Sequence, residues 1–169
     1  MNESEKTDFF CTRCQCTVSA EDRYCKNCGA IFSDNVFCAN HTSVTAEGIC
    51  VICTKACCKE CGGDSNAVFL CNSHWECEIQ EGMARVYGSI DNVQSQYVTT
   101  CLEQAGLHPF LYSRRFNPGS GMINTWVRAG IRNYGKYPIV ELKVLVPFAE
   151  VIKAEKTLRK LNIKEYQSS

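Results

Sequence analysis

Hydrophobic and polar positions follow regular periods only in the second half of the chain. Residues 84–87 and 107–113 are short, largely apolar runs that predict strands. Residues 139–146 alternate between the two faces of a third strand, and Pro147 ends it. Residues 114–138, between the second and third strands, show no regular period.

The pattern also predicts two helices. In the first, apolar residues recur at helical spacing on one face: Val93, Tyr97, Cys101 or Leu102, and Ala105. Ser89 or Asp91 can cap its start, and Gly106 its end.

The second helix runs from Phe148 to Leu161, and its inward positions are Val151, Ala154, Leu158 and Leu161. The resulting order, βαββα, predicts an α+β sandwich with helices on one face of a sheet, over residues 82–165.

The first half of the chain is dominated by cysteine instead. Of 14 cysteines, only Cys101 lies after residue 80, and such enrichment indicates disulfides or metal. The polar residues 1–10, which we expect to be a flexible tail, do not resemble a secretory signal, and no stretch approaches the roughly 18–20 apolar residues of a membrane span. We therefore expect a cytoplasmic protein without a membrane association, whose reduced thiols bind zinc.

A first metal site is predicted in residues 11–34. Cys11-x2-Cys14 and Cys25-x2-Cys28 are separated by ten residues, and two such turns can place four sulfurs around one tetrahedral ion. The stretch CTRCQCTVSAEDRYCKNCGA resembles a zinc ribbon, with Gly29 at a position that often needs positive φ. Cys16 breaks the spacing and is interpreted as a spectator. The alternative is a pair of redox Cys-x2-Cys motifs, which normally occupy a strand–helix junction.

Residues 37–77 contain four further pairs with ligand spacing: Cys38-x2-His41, Cys50-x2-Cys53, Cys58-x2-Cys61 and Cys71-x2-His74. These eight ligands suffice for two zinc ions, each with three cysteines and one histidine. With the first site, the sequence predicts about three structural zinc ions. Cys57 could replace Cys58, but the gaps to the neighbouring pairs favour Cys58, and Cys77 has no partner at this spacing.

The string FCANHTSVTAEGICVICTKACCKECGGDSNAVFLCNSHWEC resembles a B-box-type zinc finger, a relative of the RING domain. The resemblance implies a cross-braced topology, with pairs one and three on one zinc and pairs two and four on the other. Sequential filling of the two sites would use the same ligand types, so spacing leaves both arrangements open.

A catalytic zinc is the competing interpretation of this region. His74-Trp75-Glu76 matches the His-x-Glu half of a nucleobase-deaminase signature, but no Pro-Cys-x2-Cys follows it. Twelve ligands would fill three closed sites, whereas a catalytic zinc keeps an open position. We therefore expect no enzymatic activity, and a RING-like ligase is the enzymatic alternative.

Net charge divides the chain in the same way as cysteine does. Residues 1–82 carry 6 Lys and Arg against 12 Asp and Glu, and residues 83–169 carry 12 against 6. A zinc with four thiolates adds a charge of −2, and one with three thiolates and a neutral imidazole adds −1. The acidic half should therefore repel phosphate backbones.

The basic charge concentrates in residues 114–138, where the candidate ligand- or partner-binding residues are Arg114, Arg115, Trp126, Arg128, Arg132 and Lys136. Guanidinium groups could grip an anion there while aromatic rings stack. The segment could equally be a solvated loop, or dock on the acidic half. If it binds nucleic acid, affinity should fall steeply with salt.

Residues 84–161 resemble a small bacterial family described as signal-transducing domains of unknown function. The resemblance rests on Val86-Tyr87 and on the strings CLEQAGLHPFLY and VELKVLVPFAEVIKAEKTLRKL. It implies a ferredoxin-like or PII-like α/β fold with no known catalytic residues. The whole sequence favours a zinc-binding adaptor or regulator with a protein partner, whose α/β domain binds a second partner or a small anion.

Overall fold

The computed structural model of the chain describes residues 9–113 and 141–163. The chain divides into two compact units. The first, called the zinc unit, is Met1–Ala84 with Pro147–Ile152, and the second, called the C-terminal unit, is Arg85–Val146 with Lys153–Ser169. The structure is thus a small α+β protein in which clustered cysteines form three possible metal sites, as expected for zinc-stabilised modules.

The zinc unit is built from short antiparallel hairpins. Its strands are β1 (Phe9–Phe10), β2 (Thr17–Val18), β3 (Gly48–Ile49), β4 (Ala56–Cys57), β5 (Gly62–Ser65), β6 (Val68–Cys71) and β7 (Ile79–Gln80). Strand β1 pairs with β2, β3 with β4 and β5 with β6. Such short strands bury little apolar surface on their own, so the unit needs another source of stability.

Residues 11–34 and residues 37–77, called the ribbon and the finger after the sequence prediction, pack on each other through backbone hydrogen bonds. The Ile49 N–H donates to the Gly29 carbonyl at 2.9 Å, and the Phe69 N–H donates to the Cys28 carbonyl at 2.9 Å. Arg13 also forms an ion pair with Asp64. Strands β3 and β6 are therefore hydrogen-bonded to Gly29 and Cys28, at the end of the ribbon's second cysteine pair.

The C-terminal elements are β8 (Met83–Ser89), α1 (Asn92–Gln104), β9 (Phe110–Ser113), β10 (Leu142–Pro147) and α2 (Val151–Lys160). The sheet order is β7-β8-β10-β9, and β9 and β10 are antiparallel. The β7–β8 turn is Glu81-Gly82, both with positive φ, as in the primed turns of two-residue hairpins. Along the chain, the described elements from β8 onward follow the predicted βαββα order.

Helix α1 begins and ends where local chemistry requires. The Asp91 carboxylate accepts hydrogen bonds from the backbone N–H groups of Val93 and Gln94, at 2.8 and 3.3 Å, and thereby satisfies two of the unpaired donors of the first turn. Gly106 follows the helix with φ of +71°, the left-handed conformation typical of a helix C-terminus.

The predicted inward face of α1 is correct at Leu102 but wrong at Val93 and Tyr97. Val93 and Tyr97 are 74 % and 58 % exposed, and the buried positions are Ser95, Val98 and Leu102. These buried positions also recur at helical spacing, so the period alone could not choose between the two stripes. Ser95 is tolerated inside because its hydroxyl donates to the Asp91 carbonyl at 2.9 Å.

The predicted boundaries of the other strands and of the second helix differ from the observed ones by a few residues. The strand predicted from Leu107 begins at Phe110, and the strand predicted for 139–146 is described from Leu142. The second helix starts with a 3-10 turn, Phe148–Glu150, before α2. Its inward residues are buried as predicted except Leu161, which is 44 % exposed because it follows the last residue of α2.

The described helices are also informative about membranes. Within residues 9–113 and 141–163, no helix is both long enough and apolar enough to span a bilayer.

Candidate metal centres

Three groups of four side chains converge within the zinc unit. In each group the ligand atoms all lie within 4.8 Å of one another. The groups are site 1 (Cys11, Cys14, Cys25, Cys28), site 2 (Cys38, His41, Cys58, Cys61) and site 3 (Cys50, Cys53, Cys71, His74). Four cysteines, or three cysteines and one histidine, are the donor sets of structural zinc. The chain therefore has the ligands for about three structural zinc ions.

The distances within the groups fit that metal. Neighbouring sulfurs lie 3.5–3.7 Å apart in the pairs Cys11–Cys28, Cys14–Cys25 and Cys53–Cys71. A tetrahedron with zinc–sulfur bonds of about 2.3 Å has sulfurs about 3.8 Å apart. The structure describes all 14 cysteines and joins none of them in a disulfide, so the spacing of these sulfurs is that of metal ligands.

The histidines of sites 2 and 3 each turn Nδ1 toward their site. His41 Nδ1 lies 3.3 Å from Cys58 Sγ and 3.4 Å from Cys61 Sγ. His74 Nδ1 lies 3.1 Å from Cys71 Sγ. The neutral tautomer with the proton on Nε2 can therefore ligate zinc through Nδ1 in each case.

The two sites of the finger use alternating pairs. The first and third pairs meet in site 2, and the second and fourth meet in site 3. This grouping is the cross-braced one of the two arrangements that spacing left open. The Asn72 N–H also donates to the Cys61 carbonyl at 2.9 Å, so the backbone joins the ligand loops of the two sites.

Three of the cysteine pairs share one backbone geometry. The residue after the second cysteine has positive φ in each: Gln15 at 59°, Gly29 at 80° and Thr54 at 59°. Its N–H donates to the carbonyl of the first cysteine of the pair, at 2.9 Å for Gln15 and 2.8 Å for the other two. Sequence reasoning anticipated this conformation only at Gly29. The position after a Cys-x2-Cys pair was the available signal, and it is an imperfect one, because Gly62 after Cys61 is not among the residues with positive φ.

Thr54 occupies this left-handed conformation at a cost, because a β-branched side chain is strained there by about 1–2 kcal/mol. Replacing Thr54 with Gly should raise the free energy of unfolding by about 0.5–1 kcal/mol, after allowing for the greater freedom of glycine in the unfolded chain. Denaturant unfolding at fixed zinc concentration measures the change.

Lys55→Gly is the matched control, since the neighbouring Lys55 is also exposed and is not among the residues with positive φ. It should lower the free energy of unfolding by about 0.5–1 kcal/mol. Equal effects of the two substitutions would show that Thr54 is not strained.

The protein environment affects the thiol ligands unequally. Burial raises the pKa of Cys53 to about 12. At Cys38 burial also acts to raise the pKa, but hydrogen bonds from backbone N–H groups, led by that of Cys58, outweigh it and lower the pKa to about 6. The thiolate, the form that binds metal, is therefore disfavoured at Cys53 and favoured at Cys38 in the absence of metal.

The remaining cysteines of the zinc unit lie outside the three groups. Cys57 is buried, and its thiol donates to the Lys55 carbonyl at 3.6 Å, while burial raises its pKa to about 11. Cys16 and Cys77 are half-buried. Cys58, and not Cys57, is therefore the ligand-forming residue of this dipeptide.

The basic candidate residues cannot be placed in the same way. Arg114, Arg115, Trp126, Arg128, Arg132 and Lys136 lie outside the described residues. Their role as an anion or partner site stays a prediction.

Closed tetrads determine what the described centres can do chemically. Each zinc would have four protein ligands, so a substrate could reach the metal only by displacing one of them. The centres are suited to holding short hairpins together.

Comparisons of the chain with protein-family models, with curated proteins and with solved structures found no match.

Proposed function

We propose that the chain is a zinc-stabilised adaptor or regulatory protein that binds a protein partner in the cytoplasm, and that it is not an enzyme. The observation that carries the proposal is the closure of all three tetrads. Metal in such sites contributes folding energy and no open coordination position. The role of the unit would then lie in the surface that zinc holds in place.

That surface exposes large aromatic side chains. Five of them in the zinc unit are between 42 % and 59 % exposed: Phe9, Phe10, Phe32, Phe37 and Trp75. Aromatic residues are enriched in protein–protein interfaces, where they supply much of the binding energy. The zinc unit has little apolar core, yet it leaves these aromatic side chains exposed to solvent. Such a surface is suited to binding another protein.

Two finer assignments belong to the same proposal. The alternating ligand pairs support a B-box-type, RING-related finger over residues 37–77. The order β8-β10-β9 within the sheet, with α1 between β8 and β9 along the chain, supports a ferredoxin-like or PII-like core for a signal-transducing domain. Both are modules on which unrelated functions occur, so the fold by itself does not name the partner.

The proposal is tested by affinity capture with the zinc-loaded full chain, followed by calorimetry with the purified partner. We expect saturable binding that falls at least tenfold after zinc is removed and returns when zinc is restored, because the surface depends on the metal. Catalytic turnover of the captured protein, or binding that survives loss of all zinc, would contradict the proposal.

A further inference from the structure

A shallow cleft lies beside site 3 of the zinc unit. It is lined by four exposed residues, Asn72, Ser73, Trp75 and Glu76. The 3-10 turn Asn72–His74 forms one part of it, and His74 itself is a ligand-forming residue of site 3. The cleft and site 3 therefore share the backbone of this turn, so binding of metal at site 3 would fix the shape of the cleft.

The backbone of this turn is held from several directions. The side-chain amide of Asn72 donates to the Glu60 carbonyl at 2.8 Å, and the Asn72 N–H donates to the Cys61 carbonyl at 2.9 Å. At its other end, the Cys77 N–H donates to the His74 carbonyl at 3.1 Å. A surface held in this way loses little conformational freedom when a ligand binds.

Trp75 presents an aromatic ring in the cleft. The ring is supported by strand β5, since a Cβ added at Gly63 would lie 3.3 Å from the ring atom Cζ3 of Trp75. The side chain is nevertheless 47 % exposed. Tryptophan is the aromatic residue that attracts cations most strongly, because its π face is the most electron-rich.

Glu76 adds a carboxylate to the same cleft. It is exposed and forms no ion pair within the part of the chain that the structure describes. Residues 9–84 carry 5 Lys and Arg against 9 Asp and Glu, and the thiolate-rich zinc centres add further negative charge. This field attracts cations and repels phosphate groups.

We propose that the cleft binds a cationic side chain, a lysine or arginine of the partner protein, between the Trp75 ring and the Glu76 carboxylate. The inference rests on the proposed adaptor function and specifies the chemistry of the partner. Trp75 supplies the cation–π contact and Glu76 the ion pair, while Asn72 and Ser73 border the site with hydrogen-bonding groups. The partner would therefore present a basic segment.

The test uses the zinc-loaded full chain, labelled with nitrogen-15 for NMR. The probes are a blocked trilysine peptide, a blocked triarginine peptide, and the trilysine peptide with acetylated side chains, which lacks the positive charge. We expect saturable shifts of the Trp75 indole N–H and of the amides of residues 73–77 with one or both cationic peptides. The acetylated peptide should bind at least tenfold more weakly.

Variants distinguish peptide binding in the cleft from general attraction of the peptide to the negative charge of the zinc unit. Glu76→Gln and Trp75→Leu should each weaken peptide binding at least fivefold, with zinc content unchanged by native mass spectrometry. Glu21→Gln removes the same charge from an exposed residue outside the cleft, and it should leave binding within twofold of the parent.

Three outcomes would contradict cation binding in the cleft. They are equal losses of peptide affinity in Glu76→Gln and Glu21→Gln, equal affinity for the acetylated and unacetylated trilysine peptides, and absence of saturable shifts at millimolar peptide. The adaptor function fails separately. A partner that binds Glu76→Gln as well as it binds the parent chain would support the adaptor function and contradict the role of the cleft. Peptide binding in the cleft without any zinc-dependent protein partner would support the cleft and contradict the adaptor function.

Discussion

Removal of zinc from the full chain is expected to unfold the hairpins of the zinc unit and to leave the C-terminal unit folded. The hairpins of the zinc unit have strands of two to four residues, too short for independent stability. A structural zinc supplies about 10–16 kcal/mol in zinc-finger peptides at pH 7, comparable with the net stability of a whole domain, about 5–15 kcal/mol. Loss of three ions should therefore exceed what the apolar contacts of the unit can offset.

The measurement combines native mass spectrometry with nitrogen-15 NMR during titration with a chelator. Three zinc ions should leave, and amide signals of the zinc unit should collapse to the narrow range of an unfolded chain. Signals of α1, whose cap and buried residues require no metal, should keep their dispersion. A zinc unit that stayed dispersed without metal would contradict a structural role for the three sites.

Single substitutions make the same prediction more local. Cys25→Ser removes a ligand of site 1 and should reduce the content to two zinc ions per chain. Cys16→Ser is the matched control, because Cys16 is a cysteine of the same segment, residues 11–34, but lies outside the tetrad, and it should retain three. If both variants bound three ions, Cys25 would not be a ligand.

Ligand identity could be predicted from the sequence, because a zinc site is encoded locally. The x2 spacing forces two ligand atoms toward one point, and the structure brings all twelve candidate residues into tetrads. Which pairs share an ion is a different question. It depends on contacts between loops far apart in sequence, such as the hydrogen bond from Asn72 to Cys61, and spacing carries no information about them.

The error in helix α1 has a related cause. Val93 and Tyr97 fit an apolar stripe that ends near Leu102, but Val98 and Leu102 fit another stripe, and only the second is buried. Buried Ser95 hides the true face in the sequence, because a polar residue suggests an exposed position, whereas its hydroxyl here donates to the Asp91 carbonyl. Periodicity therefore fixed the existence of the helix and not its orientation.

The packing of the ribbon on the finger was also invisible in the sequence, and it leads to the second large expected effect. Gly29→Ala should destabilise the zinc unit by about 3–5 kcal/mol. A left-handed φ of +80° costs alanine about 1–2 kcal/mol. In addition, its Cβ would lie 2.2 Å from the Ile49 carbonyl oxygen and 2.9 Å from Phe69 Cβ, so the strands that bind the ribbon would have to move, with loss of packing and hydrogen bonds.

Gly82→Ala isolates the backbone contribution. Gly82 has the same φ of +80°, but its added Cβ meets nothing closer than Asn27 Oδ1 at 3.6 Å, an ordinary van der Waals contact. This variant should therefore lose only about 1–2 kcal/mol. Denaturant unfolding of both variants at the same zinc concentration gives the difference.

That difference, about 2–3 kcal/mol, measures how strongly the ribbon is bound to strands β3 and β6. The two alanines have the same backbone strain, and only the Cβ at residue 29 clashes with neighbouring atoms. It should be accompanied by faster removal of zinc from site 1 by chelator in Gly29→Ala, since Cys28 contributes both a ligand sulfur and the carbonyl that accepts from Phe69. Equal losses in the two variants would mean that the ribbon and the finger are stabilised independently. Unequal losses would mean that the contacts around Gly29 stabilise the ribbon and the finger together, so that a partner could contact both at once.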